Sequence, residues 1–344
     1  MEEPKPVQFE GTKCLVFAAA ILSGVIAAWA LSPFIFKLFP TDITRISVIL
    51  ETLKNDSLQP KIVLFGNSVA MASADMNSVS TELQGTPVAF NLASTGQTAK
   101  ESYLYYQEIP ESTTLVIQLL NITQVTNLRS LDAQKYNAFH MYGYEPDGRT
   151  IKTLNDVLGE ETANLLLKPD FLQRFESRWV IKQFTDRLVR GLLRDDLDLN
   201  EATYNIYYPK SGAQRLREDI FTRQLDLVFR GKVSSRYRPK PEKFDLLQEM
   251  TDRTRESGAE IIFVMLPIHP SQYEYRGSEF FLDARAAFKD FEAASGAPVL
   301  DAIDIVPEKF FVDPRHPGAD GARVFSSWLA NELNRLKDSG RVTF

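Results

Sequence analysis

Short apolar runs that alternate with helical patterns constrain the fold of this chain more than any other feature of its sequence. The runs are Ile62 to Phe65, Val88 to Leu92, "TTLVIQLL" before Asn121, Ile261 to Leu266 and Val299-Leu300. Runs of this length, apolar on both faces, are typical of strands buried in a parallel sheet. Gly258 and Gly296 each end a helical pattern just before a strand. The sequence therefore predicts an α/β fold with a doubly wound, mostly parallel sheet of the flavodoxin-like kind.

An uncharged segment near the amino terminus, Cys14 to Phe36, lies between Lys13 and Lys37. As a helix it spans roughly 35 Å, enough to cross a bilayer core of about 30 Å. We therefore expect a transmembrane anchor over residues 14–39, after a tail over residues 1–13. The alternatives are a buried core helix and a cleaved signal peptide that ends at Ala28-Trp29-Ala30. Glutamates before the segment argue against a signal peptide, and the flanking charges slightly favour an amino terminus inside the cytoplasm.

Composition limits the possible partners and cofactors. The formal net charge is -6, and no stretch interleaves basic with aromatic residues, so nucleic acid is not an expected partner. The chain has one cysteine and three histidines. One cysteine excludes an internal disulfide framework, and so few ligands do not favour a zinc centre. No metal and no cofactor are expected.

Small or polar residues follow three of the predicted strands. Gly66-Asn67-Ser68 follows the first, Ser94-Thr95-Gly96 the second, and Asn121 ends the third. The carboxyl ends of parallel strands share one edge of a sheet, where α/β proteins place their ligands. These residues are therefore expected to lie near one another. Ser68 also precedes a helical pattern, so its hydroxyl could instead serve only as a helix cap.

One of the three histidines, His316, follows Asp313 in the turn "FFVDPRHPGADGA". Together with Ser68 these residues are the set that acyl transfer requires. Ser68 would be the nucleophile, His316 the base that takes its proton, and Asp313 the group that orients the imidazole. The backbone amides of Ser68 and Gly96 and the side chain of Asn121 would then form an oxyanion hole.

These motifs resemble those of the SGNH (GDSL-like) hydrolase superfamily. The resemblance rests on Gly66-Asn67-Ser68, on Asn91 through Gly96 and on Asp313-Pro314-Arg315-His316, and it covers residues 61–120 and 244–336. The third block departs from the family pattern Gly-x-Asn-Asp, because this chain has Leu119-Leu120-Asn121-Ile122. Asn127 is a possible substitute for Asn121.

The combination of an amino-terminal anchor with such a domain resembles the organisation of proteins that O-acylate cell-surface polymers. Examples are the alginate and cellulose O-acetylation proteins, peptidoglycan O-acetyltransferases and the D-alanyl transfer protein of teichoic acids. The resemblance implies a serine esterase or O-acyltransferase in the inner membrane, with its catalytic domain outside the cytoplasm. It also implies a polysaccharide substrate and a membrane-bound O-acyltransferase partner. The alternative is a catalytically silent subunit that binds glycan or acts as a scaffold, which the altered third block favours.

Other residues complete the interpretation. His269 follows a predicted strand in "IIFVMLPIHPSQY", so it could bind the acceptor or compete with His316 as the base, or it could be an ordinary loop residue. Asn67, beside Ser68, is a second candidate substrate contact. The domain is expected over residues 61–344, after a helical connector over residues 40–60. A mainly helical insertion is expected over residues 127–241, including a helix around residues 171–194 with a positively charged polar side.

Overall fold

The structure is a computed structural model. It describes residues 11–125, 133–158, 201–210, 215–229, 237–239 and 241–344, with a few isolated positions between 182 and 189. The central part of the expected insertion, with its positively charged helix, lies outside the described residues, and so does Asn127.

Five parallel strands form one sheet in the order β2-β1-β3-β4-β5. The strands are β1 (Ile62–Phe65), β2 (Ala89–Asn91), β3 (Leu115–Leu120), β4 (Glu260–Met265) and β5 (Val299–Asp301). Strands β1 and β3 are buried at every position, as their continuous apolar sequences predict. The parallel α/β prediction is thereby confirmed, and the order 2-1-3-4-5 is that of flavodoxin-like sheets.

Helices connect the strands, as parallel pairing requires. In the described parts of the chain they are α1 (Gly11–Lys37), α2 (Thr44–Leu53), α3 (Ser68–Ser73), α4 (Met76–Glu82), α5 (Ala99–Leu104), α6 (Ala133–Met141), α7 (Gly148–Leu158), α8 (Glu201–Tyr204), α9 (Glu218–Phe229), α10 (Pro241–Glu256), α11 (Ser271–Arg276), α12 (Ser278–Ser295) and α13 (Ala319–Asp338). Short 3₁₀ turns occur at Tyr105–Glu108, Ile122–Val125 and Glu308–Phe310. Gly296 ends α12 in the left-handed conformation, with φ of 69°.

The sheet has a separate apolar core on each face. Alternate strand residues point to opposite faces, so Val63 and Phe65 pack with α2, α5, α6, α7, α10 and α12. Ile62 and Leu64 pack on the other face with α3, α4 and α13. The nucleophile candidate Ser68 begins α3, and the loop of Asp313 and His316 leads into α13, so both approach the sheet from this second face.

Helix α1 is long and apolar enough to span a membrane. Its apolar segment, Cys14–Ser32, has a mean hydropathy of 2.4 and is not buried within the protein. A signal sequence near an amino terminus has the same properties. The end of α1 contacts the α/β domain, because Lys37 forms an ion pair with Glu51 of α2 and its carbonyl accepts a hydrogen bond from Tyr204 at 2.9 Å.

The segment expected as a connector contains helix α2, which packs into the protein core. Ile43, Ile46, Ile49, Leu50 and Leu53 are each at most 2% exposed and belong to the same core as β1 and β3. These residues therefore form part of the folded domain rather than a spacer between the anchor and the domain.

Candidate active site

A tight bend after β1 places Ser68 at the carboxyl edge of the sheet. A Cβ at Gly66 would lie 2.6 Å from Cβ of Ala70 and 3.1 Å from Cβ of Leu119, so only glycine allows this close passage of α3 over β3. Asn67 then caps α3, since its Oδ1 accepts a hydrogen bond from the Val69 amide at 2.9 Å. Ser68 is the first residue of the helix and is half-buried. Asn67 therefore provides the helix cap that was the alternative role for Ser68.

A compact turn presents Asp313 and His316 to the same edge. Phe311 and Pro317 pair as an isolated antiparallel bridge that closes the turn. Within it, Oδ1 of Asp313 accepts hydrogen bonds from the amides of Arg315 at 2.8 Å and His316 at 2.9 Å. One carboxylate oxygen therefore organises the backbone of the turn, and the other is left for the imidazole.

The three predicted catalytic side chains form a continuous hydrogen-bonded chain. Oδ2 of Asp313 lies 2.8 Å from Nδ1 of His316, and Nε2 of His316 lies 2.9 Å from Oγ of Ser68. Asp313 as acceptor fixes the tautomer with the proton on Nδ1, which leaves Nε2 to accept the serine proton. Ser68 and His316, 248 positions apart in the sequence, are thus brought together with Asp313 in the arrangement that a nucleophile, a base and an orienting carboxylate require.

Burial and the neighbouring charges suit His316 to the role of a base. Burial lowers the pKa of His316 below its usual value although Asp313 opposes this, and the charges of Lys210 and Arg315 lower it further. Burial alone would raise the pKa of Asp313, but the hydrogen bond and charge of His316 and two backbone amides outweigh it, so this pKa is lowered. At neutral pH the imidazole is therefore neutral beside an ionised carboxylate.

Gly96 lies in the turn after β2, in the left-handed conformation with φ of 64°. The loop touches α3, the helix that begins at Ser68, through Thr95, whose hydroxyl lies 3.8 Å from the sulfur of Met71. Lys135 of α6 donates a hydrogen bond to the Thr95 carbonyl at 2.8 Å, and its ammonium would lie 3.4 Å from a Cβ at Gly96. Within the described residues, the amides of Ser68 and Gly96 donate to no protein acceptor. The turn thus offers an uncommitted N–H beside a positive charge.

Asn121 directly follows β3 at this edge, and its side chain is held in a fixed orientation. Its Oδ1 accepts hydrogen bonds from the amide of Thr123 at 3.0 Å and from the hydroxyl of Thr123 at 2.7 Å. Because the oxygen is used in this turn, the amide nitrogen is the group that remains for a ligand. The side chain can thus act as a donor, the role predicted for it in an oxyanion hole.

His269 is enclosed by aromatic side chains. The residue is 0% exposed and its ring contacts the rings of Phe221 and Phe311. Its Nδ1 accepts a hydrogen bond from the Ser271 amide at 3.2 Å. Burial lowers the pKa of His269. The position beside Ser68 that a base would take is held by His316. A substrate contact at His269 stays a prediction, and the buried ring does not favour it. Asn67, half-buried next to Ser68, remains a candidate contact.

Three basic residues near the candidate site were not predicted from the sequence patterns. Arg45, Lys135 and Lys210 come from α2, from α6 and from the segment after α8, all far from the motifs in sequence. Only Arg45 had a usable signal, because it is a charged residue surrounded by apolar helix positions in "ITRISVIL". The contacts of the other two depend on tertiary structure alone.

No model of a known protein family matches the chain, and no curated protein is significantly similar to it. Within the part of the chain that the structure describes, no group of three or more His, Cys, Asp or Glu side chains is placed to hold a metal ion. The function must therefore be argued from the arrangement of Ser68, His316 and Asp313 and from its surroundings.

Proposed function

We propose that this chain is an SGNH-type serine esterase or O-acyltransferase that acts through an acyl group carried on Ser68. The supporting observation is the chain of hydrogen bonds from Ser68 Oγ to His316 Nε2 at 2.9 Å and from His316 Nδ1 to Asp313 Oδ2 at 2.8 Å. Hydrogen bonds of this length allow direct proton transfer, and a neutral imidazole is the form that accepts a proton.

The first half of the reaction would transfer the acyl group to the protein. Ser68 Oγ attacks the acyl carbonyl carbon while its proton moves to His316 Nε2. The carbonyl oxygen becomes an oxyanion, which the amides of Ser68 and Gly96 and the side-chain nitrogen of Asn121 can stabilise. The intermediate then collapses, and the leaving alcohol takes the proton from His316. Ser68 is left as an ester.

The second half would return the protein to its starting state. Water or a sugar hydroxyl gives its proton to His316 and attacks the Ser68 ester. Collapse of the second intermediate returns the proton to Ser68 and releases a carboxylic acid or an acylated sugar. The resemblance to O-acylation proteins supports a cell-surface or exported polysaccharide as the acceptor. It also supports a membrane-bound O-acyltransferase as the partner that supplies acyl groups.

The test is covalent labelling of the full-length chain in detergent micelles. The wild type, mixed with p-nitrophenyl acetate, should release a burst of p-nitrophenol and show one acetyl adduct by intact mass. Ser68→Ala should show no adduct. Ser73→Ala is the matched control, because Ser73 lies on the same helix and donates to the Val69 carbonyl, away from His316. If the folded wild type is labelled neither by the ester nor by the membrane partner with its acyl donor, a glycan-binding or scaffold role is favoured instead.

The proposed location is the inner membrane, with the α/β domain outside the cytoplasm and α1 as a retained anchor. Cys14 is the single cysteine of the chain. Changing it to serine and introducing Asp338→Cys at an exposed position near the carboxyl terminus places one thiol on the domain. A membrane-impermeant maleimide should label this thiol in spheroplasts without lysis. The intact mass of the protein recovered from the membrane fraction then shows whether the anchor is retained or cleaved after Ala30.

A further inference from the structure

Arg45 is a buried cation that binds backbone oxygens from two other segments of the chain. The side chain belongs to α2 and is 1% exposed. Its guanidinium donates to the carbonyls of Ala93 at 2.8 Å, Asn91 at 2.7 Å, Thr203 at 3.1 Å and Asn205 at 2.9 Å. No carboxylate is hydrogen-bonded to it among the residues described. Burial lowers the pKa of Arg45 to about 10, so the group remains charged at neutral pH.

Two of these carbonyls belong to peptide groups that are fixed at both ends. The amide that follows the Asn91 carbonyl, that of Leu92, donates to the Leu64 carbonyl of β1 at 2.7 Å. The amide that follows the Ala93 carbonyl, that of Ser94, donates to the Gly66 carbonyl at 3.0 Å. Each peptide therefore links Arg45 to the strand end that carries Ser68.

Asn91 holds the same loop against the nucleophile's helix from the other side. Its Nδ2 donates to the carbonyls of Ala70 at 3.2 Å and Ala74 at 2.8 Å, at α3, and its Oδ1 accepts from the Ala93 amide at 3.1 Å. Residues 91–94 are thus fixed toward Ser68 by Asn91 and toward α2 by Arg45. The turn with Gly96 begins directly after them.

Helix α8 and the residues after it complete the arrangement. Asn205 and Thr203 supply the other two carbonyls to Arg45, and the Ile206 carbonyl accepts from the Asn91 amide at 2.7 Å. The same segment reaches the end of α1 through Tyr204, and it continues to Lys210, whose charge lowers the pKa of His316. Arg45 therefore lies where helix α2, the loop that contains Gly96 and the segment from α8 to Lys210 all meet.

We propose that Arg45 is a positioning residue for the oxyanion hole. It holds the peptides before Gly96 so that the Gly96 amide faces the oxygen of the acyl carbonyl whose carbon Ser68 attacks. This inference rests on the proposed function. A guanidinium has five donors in a planar fork, which suits four carbonyls, whereas a lysine ammonium has three donors at one point. Arg45→Lys keeps an amine donor but cannot hold all four carbonyls, so the loop gains freedom.

The test compares Arg45→Lys with Arg253→Lys in the full-length chain in detergent micelles. Arg253 is a matched control, because it is also largely buried and bonded, to Thr150 at 2.8 Å and to Asp147, but it lies on α10 near the amino end of β4. Loss of one oxyanion donor costs about 10²–10³-fold in rate, and a displaced donor should lose roughly 10–100-fold. Arg45→Lys should lower the rate constant for acetylation of Ser68 by that factor. The concentration of p-nitrophenyl acetate that gives half of the maximal rate should stay unchanged. Arg253→Lys should leave the rate within about twofold.

The outcomes separate this inference from the proposed function. A wild type that is never acylated overturns both. An acylated wild type with an equally fast Arg45→Lys variant overturns only the positioning role and leaves Arg45 a structural residue. If Arg45→Lys does not fold, amide hydrogen exchange of the wild type tests whether the loop of residues 91–94 is held rigidly. The amides of Leu92 and Ser94 should be protected as strongly as those of β1, and exchange at the rate of exposed loops would overturn the role.

Discussion

Asn67 and Ser68 are adjacent, yet only Asn67 caps helix α3, and the hydroxyl of Ser68 is thereby left to bond with His316. Asn67→Ala should therefore lower the free energy of unfolding by about 1 kcal/mol, the typical contribution of an N-cap. Asn67→Asp keeps the capping oxygen and should restore most of this loss. Urea unfolding of the three proteins measures the effect. A weaker apparent affinity for substrate in the stable Asp variant would show that Asn67 also contacts the substrate.

Asp313→Asn should nearly abolish acylation without unfolding the turn. The amide oxygen can still accept from the amides of Arg315 and His316, but the amide nitrogen would face His316 Nδ1 and favour the wrong tautomer. A loss of about 10⁴-fold is expected from the same change in a serine protease triad. Single-turnover acetylation measures it. Near wild-type acylation in a folded Asn variant would remove Asp313 from the mechanism.

Arg315→Gln should move the acidic limb of the pH–rate profile to higher pH. His316 must be neutral to accept the serine proton, and the charge of Arg315 lowers its pKa. Without this charge the pKa of His316 rises, so protonation inactivates the base at a higher pH. Arg323→Gln, which loses only an exposed ion pair with Asp320, is the control. The measurement is the acetylation rate as a function of pH at low ionic strength. If the rate falls at the same acidic pH in both variants, the prediction is wrong.

His269→Phe should leave acylation within about twofold of the wild type, because the ring is buried and the position beside Ser68 is held by His316. It should also reduce the dependence of stability on pH. Burial lowers the pKa of His269, so the unfolded chain takes up a proton first as pH falls below about 6.5, and stability is lost in that direction. Urea unfolding at about pH 8 and about pH 5 measures the difference. Part of the pH dependence of the unfolding free energy remains in both proteins, because burial also lowers the pKa of His316. A large loss of acylation would restore His269 as a candidate base.

Gly66→Ala should destabilise the protein because the new methyl has no room beside Ala70 and Leu119. Overpacking of this kind costs about 1–3 kcal/mol, and any shift of α3 would also move Ser68. Gly148→Ala is the matched control, since no atom lies within 4 Å of a Cβ there and the residue begins α7. Thermal unfolding should separate the two variants, and equal midpoints would contradict the packing argument.

Local patterns were sufficient to predict the sheet and to single out the three side chains that the structure brings together. Each of the apolar runs became a parallel strand, and the residues after β1, β2 and β3 lie at one edge because parallel strands place their carboxyl ends together. His316 and Asp313 were recognisable because they lie in one short turn. In these cases the relevant contacts are local, or follow from the direction of the strands.

The surroundings of the site could not be predicted in the same way. Arg45 binds carbonyls at residues 91, 93, 203 and 205, and carbonyls have no side-chain identity that a sequence pattern could report. Lys135 over the Gly96 turn depends on how α6 packs on the sheet. His269 has the same strand-end context as a ligand-binding residue, and only the rings of Phe221 and Phe311 decide that it is buried.

The contact between α2 and the end of β2 also limits how far the candidate site can lie from the end of helix α1. Arg45 lies in the first turn of α2, close after Lys37 at the end of α1, and it binds carbonyls at the same sheet edge that carries Ser68. The segment from Lys37 to Thr44 can extend over at most about 25 Å. With α1 in a bilayer, Ser68 would be tethered within a few nanometres of the lipid surface. If the proposed acylation of a long polymer is correct, the transfer would take place as the polymer emerges at the membrane, before it has moved beyond the reach of this tether.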